Sequence, residues 1–196
     1  MTGMKKRDWY RGIAALHVCN IDQGFLVTLG TDFLALMYQA IDEASDSVLL
    51  VSVRDGQVAG FVSGGTGMRS IYAQMIRHPF RLSAALAPSL VRPRRVLRIL
   101  EILRYGSSRG VRSDWPAAEL LSIAVDPAYR GRHVAEELYR QLVTHFRTNG
   151  VTAFKITVGS ALTPAHRFYL KMGAVPCGEI EVHEGESSIL YRHNIA

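Results

Sequence analysis

The chain has 196 residues, of which 48% are hydrophobic and 20% charged, and carries a formal net charge of +6. That balance excludes a disordered or fibrous chain, and no apolar run reaches the roughly 20 residues that a membrane-spanning helix needs. The two cysteines, Cys19 and Cys177, make neither a disulfide framework nor a metal-ligand spacing.

The segment 1–11 is charged, with no apolar core behind it, so the expectation is a cytoplasmic protein without a secretory signal. Thr31, followed by Phe33, Leu34, Leu36, Met37, Ala40 and Ile41, predicts a helix capped by the Thr hydroxyl. Two β-branched runs, Ser47–Arg54 and Gln57–Ser63, flank Asp55-Gly56 and predict a hairpin. Gly64, Gly65 and Gly67 should end the second strand.

From Gly65 to Ser113 there are ten arginines and one acid, Glu101, so this stretch alone carries +9 and the rest of the chain −3. Met68–His78 and Phe80–Ala87 read as short helices. The run Val96–Arg104, behind Pro93, reads as a longer amphipathic one. The basic charge therefore belongs to a helical insertion at about 65–113. The rest reads as one domain over 1–196.

The second half predicts a strand at Glu119–Val125, a helix at Arg132–Arg147 with Val134, Leu138, Leu142, Val143 and Phe146 inward, and a C-cap at Asn149-Gly150. A strand at Ala153–Val158 and a helix at Pro164–Lys171 follow, then strands at Val175–Val182 and Ser188–Arg192 joined by Glu184-Gly185. The order predicts an α/β domain with a mixed, mostly antiparallel sheet of about six to seven strands flanked by helices. Its strand–helix–strand unit Glu119–Val158 should form a right-handed parallel crossover.

The turn at 126–135 is the most informative segment. A strand ends at Asp126-Pro127, and Arg130-Gly131-Arg132-His133-Val134-Ala135 then opens a helix. The first N–H groups of a helix lack intrahelical partners and sit at the positive end of its dipole, so such a turn suits a phosphate. The segment resembles the acyl-CoA loop of the GNAT N-acetyltransferase family, Arg/Gln-x-x-Gly-x-Gly/Ala. Arg130 and Ala135 fit that pattern, and His133 stands in place of its middle glycine. Thr163–Ala174 resembles the family's later Asn-x-x-Ala-x-x-Phe-Tyr-x-Lys-x-Gly-Phe motif. Ala165, Phe168, Tyr169, Lys171 and Gly173 match; Leu162 and Ala174 replace the Asn and the final Phe. The order of elements agrees as well.

The resemblance implies transfer of acetyl from acetyl-CoA directly to an amine. It implies that Arg130, Gly131, Arg132, His133, Val134 and Ala135 cradle the pyrophosphate, and that the strand Ile123-Ala124-Val125 pairs with the pantetheine arm. Tyr169 is the candidate general acid, because the departing thiolate needs a proton. Glu119 is the candidate base, because an amine must shed a proton to react. His183 and His133 are weaker alternatives. His17 belongs to no constellation, and no H-x-x-x-H pair occurs, so no catalytic metal is expected.

A basic cover near Glu119 suits a small anionic acceptor such as an amino sugar or a nucleotide-linked amino sugar. Amines of proteins and peptides are an alternative. Other readings are a non-catalytic acyl-CoA-binding module, and an adaptor contacting a membrane surface peripherally through the basic helices. Nucleic acid has little support, since aromatic residues are sparse among the arginines. A homodimer is compatible with the chain.

Overall fold

The computed structural model describes residues 6–21, 26–90, 115–183 and 186–195. The elements run α1 (Lys6–Asn20), α2 (Thr31–Glu43), β1 (Ser47–Arg54), β2 (Gln57–Gly65), α3 (Arg69–Ile76) and α4 (Pro79–Leu90), then β3 (Ala118–Val125), α5 (Val134–Thr148), β4 (Ala153–Gly159), α6 (Thr163–Lys171), β5 (Val175–His183) and β6 (Glu186–Asn194). Single 3-10 turns lie at Leu26–Leu29 and Pro127–Tyr129. The strands form one six-stranded sheet in the order β1-β2-β3-β4-β6-β5. Neighbours are antiparallel, save the parallel pair β3–β4 that α5 connects. The mixed, mostly antiparallel α/β fold expected from the sequence is present.

Helices cover both faces of the sheet. Ile13, Leu34, Tyr38, Ile41 and Phe61 form one core beneath α1 and α2. Leu120, Leu138, Tyr139, Leu142, Phe154 and Tyr169 form the other beneath α5 and α6. Between two cores β2 has no solvent side, which is why it is buried from Ala59 to Gly65 instead of alternating.

Four local expectations need correction. Helix α1, not among the elements expected from the sequence, begins within the charged segment 1–11 and runs on past it, where apolar Ile13, Ala14 and Leu16 are buried. Helix α2 is not capped by the Thr31 hydroxyl. Gly30 is its N-cap, at φ 92, and its carbonyl accepts from Leu34 N at 3.1 Å. Gly64 and Gly65 do not end β2 but belong to it. A Cβ on Gly64 would stand 2.8 Å from both Leu142 Cδ1 and Phe146 Cζ, so glycine lets α5 lie directly on the strand. Helix α5 begins at Val134, so Arg132 and His133 lie in the turn before it.

Helices α3 and α4 form the first part of the predicted insertion and pack on α2. Arg81 donates to Gln39 Oε1 at 2.6 Å, while Glu43 accepts from Gln74 at 2.9 Å and lies 3.4 Å from His78. The predicted amphipathic helix at Val96–Arg104 lies outside the described residues, as does the Glu184-Gly185 turn.

Candidate active site

The site begins where two parallel strands part. β3 and β4 pair only over Ala118–Leu120 and Phe154–Ile156. From Ser122 to Val125, β3 stays paired with β2 on its other side but has no strand partner towards β4. An extended backbone edge with unmet donors and acceptors is a template for an extended ligand. Ile123, Ala124 and Val125 lie along that edge, with Ala124 packed into the α2 core and Ile123 and Val125 against the α5 core.

The turn that follows is tightly specified. Asp126 N donates to Ala59 O at 2.9 Å, and the Asp126 carboxylate caps the 3-10 turn by accepting from Ala128 N at 2.8 Å. Gly131 and His133 then take left-handed conformations, at φ 72 and φ 59. A histidine there carries a steric cost of roughly 1–2 kcal/mol that glycine would not. His133 caps α5 only through its carbonyl, which accepts from Glu137 N at 3.0 Å, and no side chain caps this helix start. The imidazole is exposed and turned towards Glu136, with Nδ1 3.4 Å from Oε1.

The basic side chains of the turn are held from outside. Arg130 donates to Asn20 Oδ1, at the end of α1. Arg132 lies over the Tyr129 ring, 5.5 Å from its centroid, and Tyr129 donates to Asp55 at 3.1 Å. Lys171, in the second motif, donates to Glu136 Oε1 at 3.0 Å and keeps that carboxyl below its usual range. The negative charge nearest the helix start is thus already paired. The positive end of a helix dipole, two arginines and an open strand edge suit an acyl-CoA pyrophosphate and its arm.

Glu119 stands at the root of the fork. Ala118 and Leu120 point into the α5 core, so Glu119 faces the α1–α2 side. On β4, Phe154, Ile156 and Val158 likewise leave Lys155 and Thr157 on that side. Lys155 Nζ lies 3.6 Å from Glu119 Oε2, and Thr157 Oγ1 donates to Oε1 at 3.4 Å. Burial raises the Glu119 pKa, and Lys155 and Thr157 offset only part of that rise.

Tyr169 lies on the opposite face of the sheet. It is 6% exposed and packed against Tyr139, Phe168 and Tyr191. Burial raises its pKa, so the phenol is protonated at neutral pH. The two candidate catalytic residues thus lie on opposite faces of the sheet. His183 is on β5, and its side chain lies outside the described residues.

Two histidine networks were not foreseen. His166 joins Tyr191 Oη at 2.8 Å to Gly159 O at 3.1 Å, which ties α6 to the end of β4. His17 meets Tyr38 Oη, which is 3.1 Å from Ser122 Oγ, itself 2.6 Å from Ser63 Oγ. These four residues come from α1, α2, β3 and β2, so no local pattern announces them. Cys19 and Cys177 are both free and exposed. Among the described residues no group of His, Cys, Asp or Glu is arranged to hold a metal, and no helix is long and apolar enough to cross a membrane.

Known proteins share this architecture. An N-acetyltransferase from Staphylococcus aureus Mu50 superposes with a TM-score of 0.61 at 14% identity, covering 98% of this chain and 96% of that one. Ard1 from Thermoplasma volcanium gives 0.61 at 13% identity, over 97% and 93%. A candidate streptothricin acetyltransferase from Bacillus anthracis str. Ames, in complex with acetyl coenzyme A, gives 0.53 at 14%, over 81% and 69%. At such identities these likenesses establish the fold alone. No curated protein matches the sequence. The sequence itself matches the Acetyltransferase (GNAT) family over residues 18–174, a span that includes both motifs and the fork between β3 and β4, and the chain belongs to that family.

Proposed function

We propose that this GNAT acetyltransferase moves acetyl from acetyl-CoA to the primary amine of a small acceptor, with Glu119 as base and Tyr169 as acid. The observation that carries the reading is the fork, with a desolvated carboxylate at its root, and a buried, protonated phenol on the opposite face of the sheet supports it. Bound acetyl-CoA supplies an activated acetyl thioester. The edge Ile123–Val125 would align its arm, and the turn Arg130–Ala135 would take its pyrophosphate on backbone N–H groups and arginines.

Each proton then has a place to go. As the N–C bond to the acetyl carbon forms, Glu119 takes one proton from the neutral amine nitrogen. As the C–S bond breaks, Tyr169 gives its phenolic proton to the sulfur. Water returns a proton to Tyr169 and removes one from Glu119. An amine arriving as its cation first loses one further proton to water. Burial serves both roles: it makes Glu119 more basic than an exposed carboxylate and keeps Tyr169 protonated until the thiolate departs.

For the acceptor we favour an amino sugar or nucleotide-linked amino sugar. The support is the basic insertion, whose α3 and α4 pack on α2, the helix that covers the Glu119 face. The test is acetyl-CoA consumption against amino sugars, their phosphates, aminoglycosides, polyamines and peptides. Preference for a phosphorylated amino sugar, lost with rising salt, supports the reading. Preference for peptides overturns the acceptor class, and no turnover with any amine overturns the activity.

A further inference from the structure

A β-bulge brings a second polar side chain to the face that carries Glu119. In the β2–β3 ladder Ser63 pairs with Ser122 but Gly64 pairs with Leu120, so Leu121 is an extra residue on β3. In a regular strand, residues 119 and 122 would point to opposite faces. The inserted residue reverses that parity, and Ser122 faces α2, where it meets Tyr38. Glu119 in turn leans along the strand towards Ser122. Its partner Thr157 is two residues beyond Lys155, the residue in register with Glu119, and therefore stands level with position 121. Both groups thus lie at the opening of the fork, and Ser122 remains partly exposed there.

The chain behind Ser122 determines what its hydroxyl can do. Each of its two hydrogen bonds, with Tyr38 and with Ser63, can be donated from either side. Run from Ser63 towards His17, the chain has Ser122 accept from Ser63 and donate to Tyr38. Run the other way, Ser122 accepts from Tyr38 and donates to Ser63. In both directions one donor and one lone pair are consumed and one lone pair is left. A chain that runs in one direction, whichever it is, thus leaves Ser122 as an acceptor, whereas protons converging on it from both neighbours would leave it a donor. As an acceptor it can hold an N–H without donating to the nitrogen lone pair and quenching the nucleophile. Tyr38 is fully buried and His17 nearly so, which fixes the network in place.

We propose that Ser122 holds the second N–H of the acceptor nitrogen, the one retained in the product amide, while Glu119 takes the first. Tyr38 and His17 act behind it as positioning residues. The inference rests on the assignment of Glu119 as base. It carries a consequence for specificity: a primary amine satisfies both groups, whereas a secondary amine spends its only N–H on Glu119 and leaves Ser122 unpaired against an alkyl group.

The test pairs every amine that the enzyme acetylates with its N-methyl derivative, in wild type, Ser122→Ala and Tyr38→Phe, with circular dichroism and acetyl-CoA binding as controls for folding. The wild type should prefer the primary amine. Ser122→Ala should lower kcat/KM for the primary amine about tenfold, the scale of one lost hydrogen bond, and bring the ratio of primary to N-methyl amine towards one, with acetyl-CoA affinity unchanged. Tyr38→Phe removes one of the two partners that orient the Ser122 hydroxyl and should lower kcat more than it raises KM. A discrimination ratio unchanged in a folded Ser122→Ala variant that still turns over overturns the inference and leaves the acetyltransferase reading intact. If the wild type acetylates no amine, both fall together. If Ser122→Ala fails to fold, Tyr38→Phe decides: an unchanged kcat overturns the inference.

Discussion

Lys155 holds its ammonium 3.6 Å from the Glu119 carboxylate, across the three-residue stretch where β3 and β4 are still paired. The same lysine that helps to keep this carboxylate in a poorly hydrated place also limits how basic it becomes, since its charge and hydrogen bond pull the pKa down against the effect of burial. As base, Glu119 must be ionised to act. Activity should therefore rise with pH through a pKa above the ordinary carboxylate range. Lys155→Met should move that rise to higher pH, because it removes a lowering influence. Glu119→Gln should abolish the rise and cut kcat by roughly 10²–10⁴-fold. The pH profile of kcat/KM checks all three, and an unmoved profile in Lys155→Met would assign the rise to another group.

Tyr169→Phe keeps the ring and its contacts with Tyr139, Phe168 and Tyr191 and removes only the hydroxyl. A general acid lost in this way should lower kcat by about 10²-fold or more, with little change in the dissociation constant of CoA. Stopped-flow turnover beside calorimetric CoA binding separates the two quantities. Wild-type kcat in the Phe variant would make Tyr169 a packing residue.

The turn before α5 yields a matched pair of substitutions. Gly131 lies at φ 72 with open space around its missing Cβ, so a Cβ there meets strain and no clash. Gly131→Asn and Gly131→Asp share that strain, and both side chains tolerate the left-handed region better than most. Only Asp adds negative charge where the pyrophosphate is proposed to lie. Acetyl-CoA binding by calorimetry should weaken more in Asp than in Asn, by at least tenfold or about 1.4 kcal/mol. Equal affinities would displace the phosphate from this turn. At the other left-handed residue, His133→Gly should raise stability by about 1 kcal/mol, read from the urea midpoint.

Parts of this architecture whose cause is local were legible in the sequence. Asp55 and Gly56, at φ 51 and φ 74, make the tight hairpin that their dipeptide announces. Val134, Leu138, Leu142 and Phe146 are buried along one stripe of α5, and Asn149 ends that helix with Gly150 at φ 73. Glu119, Tyr169 and the 130–135 turn were legible as candidates because each sits inside a motif or one strand's length away. What stayed hidden has causes far apart in the chain. The parting of β3 from β4 depends on pairings 36 residues apart in the chain, as that of Glu119 with Lys155 illustrates. The bulge at Leu121 is a mismatch between two strands and is visible in neither alone. Thr31 looked like a cap because a hydroxyl before an apolar stripe is the usual one, yet Gly30, with its positive φ, turns the chain one residue earlier.

His17 makes the acid limb of stability testable. Burial lowers its pKa from 6.5 to about 4. The folded state thus binds this proton less readily than the unfolded chain. The stability contributed by keeping it neutral is fully present above pH 6.5 and is lost as pH falls from there to about 4. A shift of that size corresponds to roughly 3 kcal/mol at most. Glutamine in its place can still accept from Tyr38 but does not titrate, so His17→Gln should lose less stability than wild type over that interval. Urea midpoints measured from pH 7.5 down to 4.5 should therefore converge or cross for the two proteins. Parallel curves would mean that His17 takes up its proton in the folded state near its ordinary pKa, with Tyr38 then accepting from Nδ1 and passing its own proton on to Ser122.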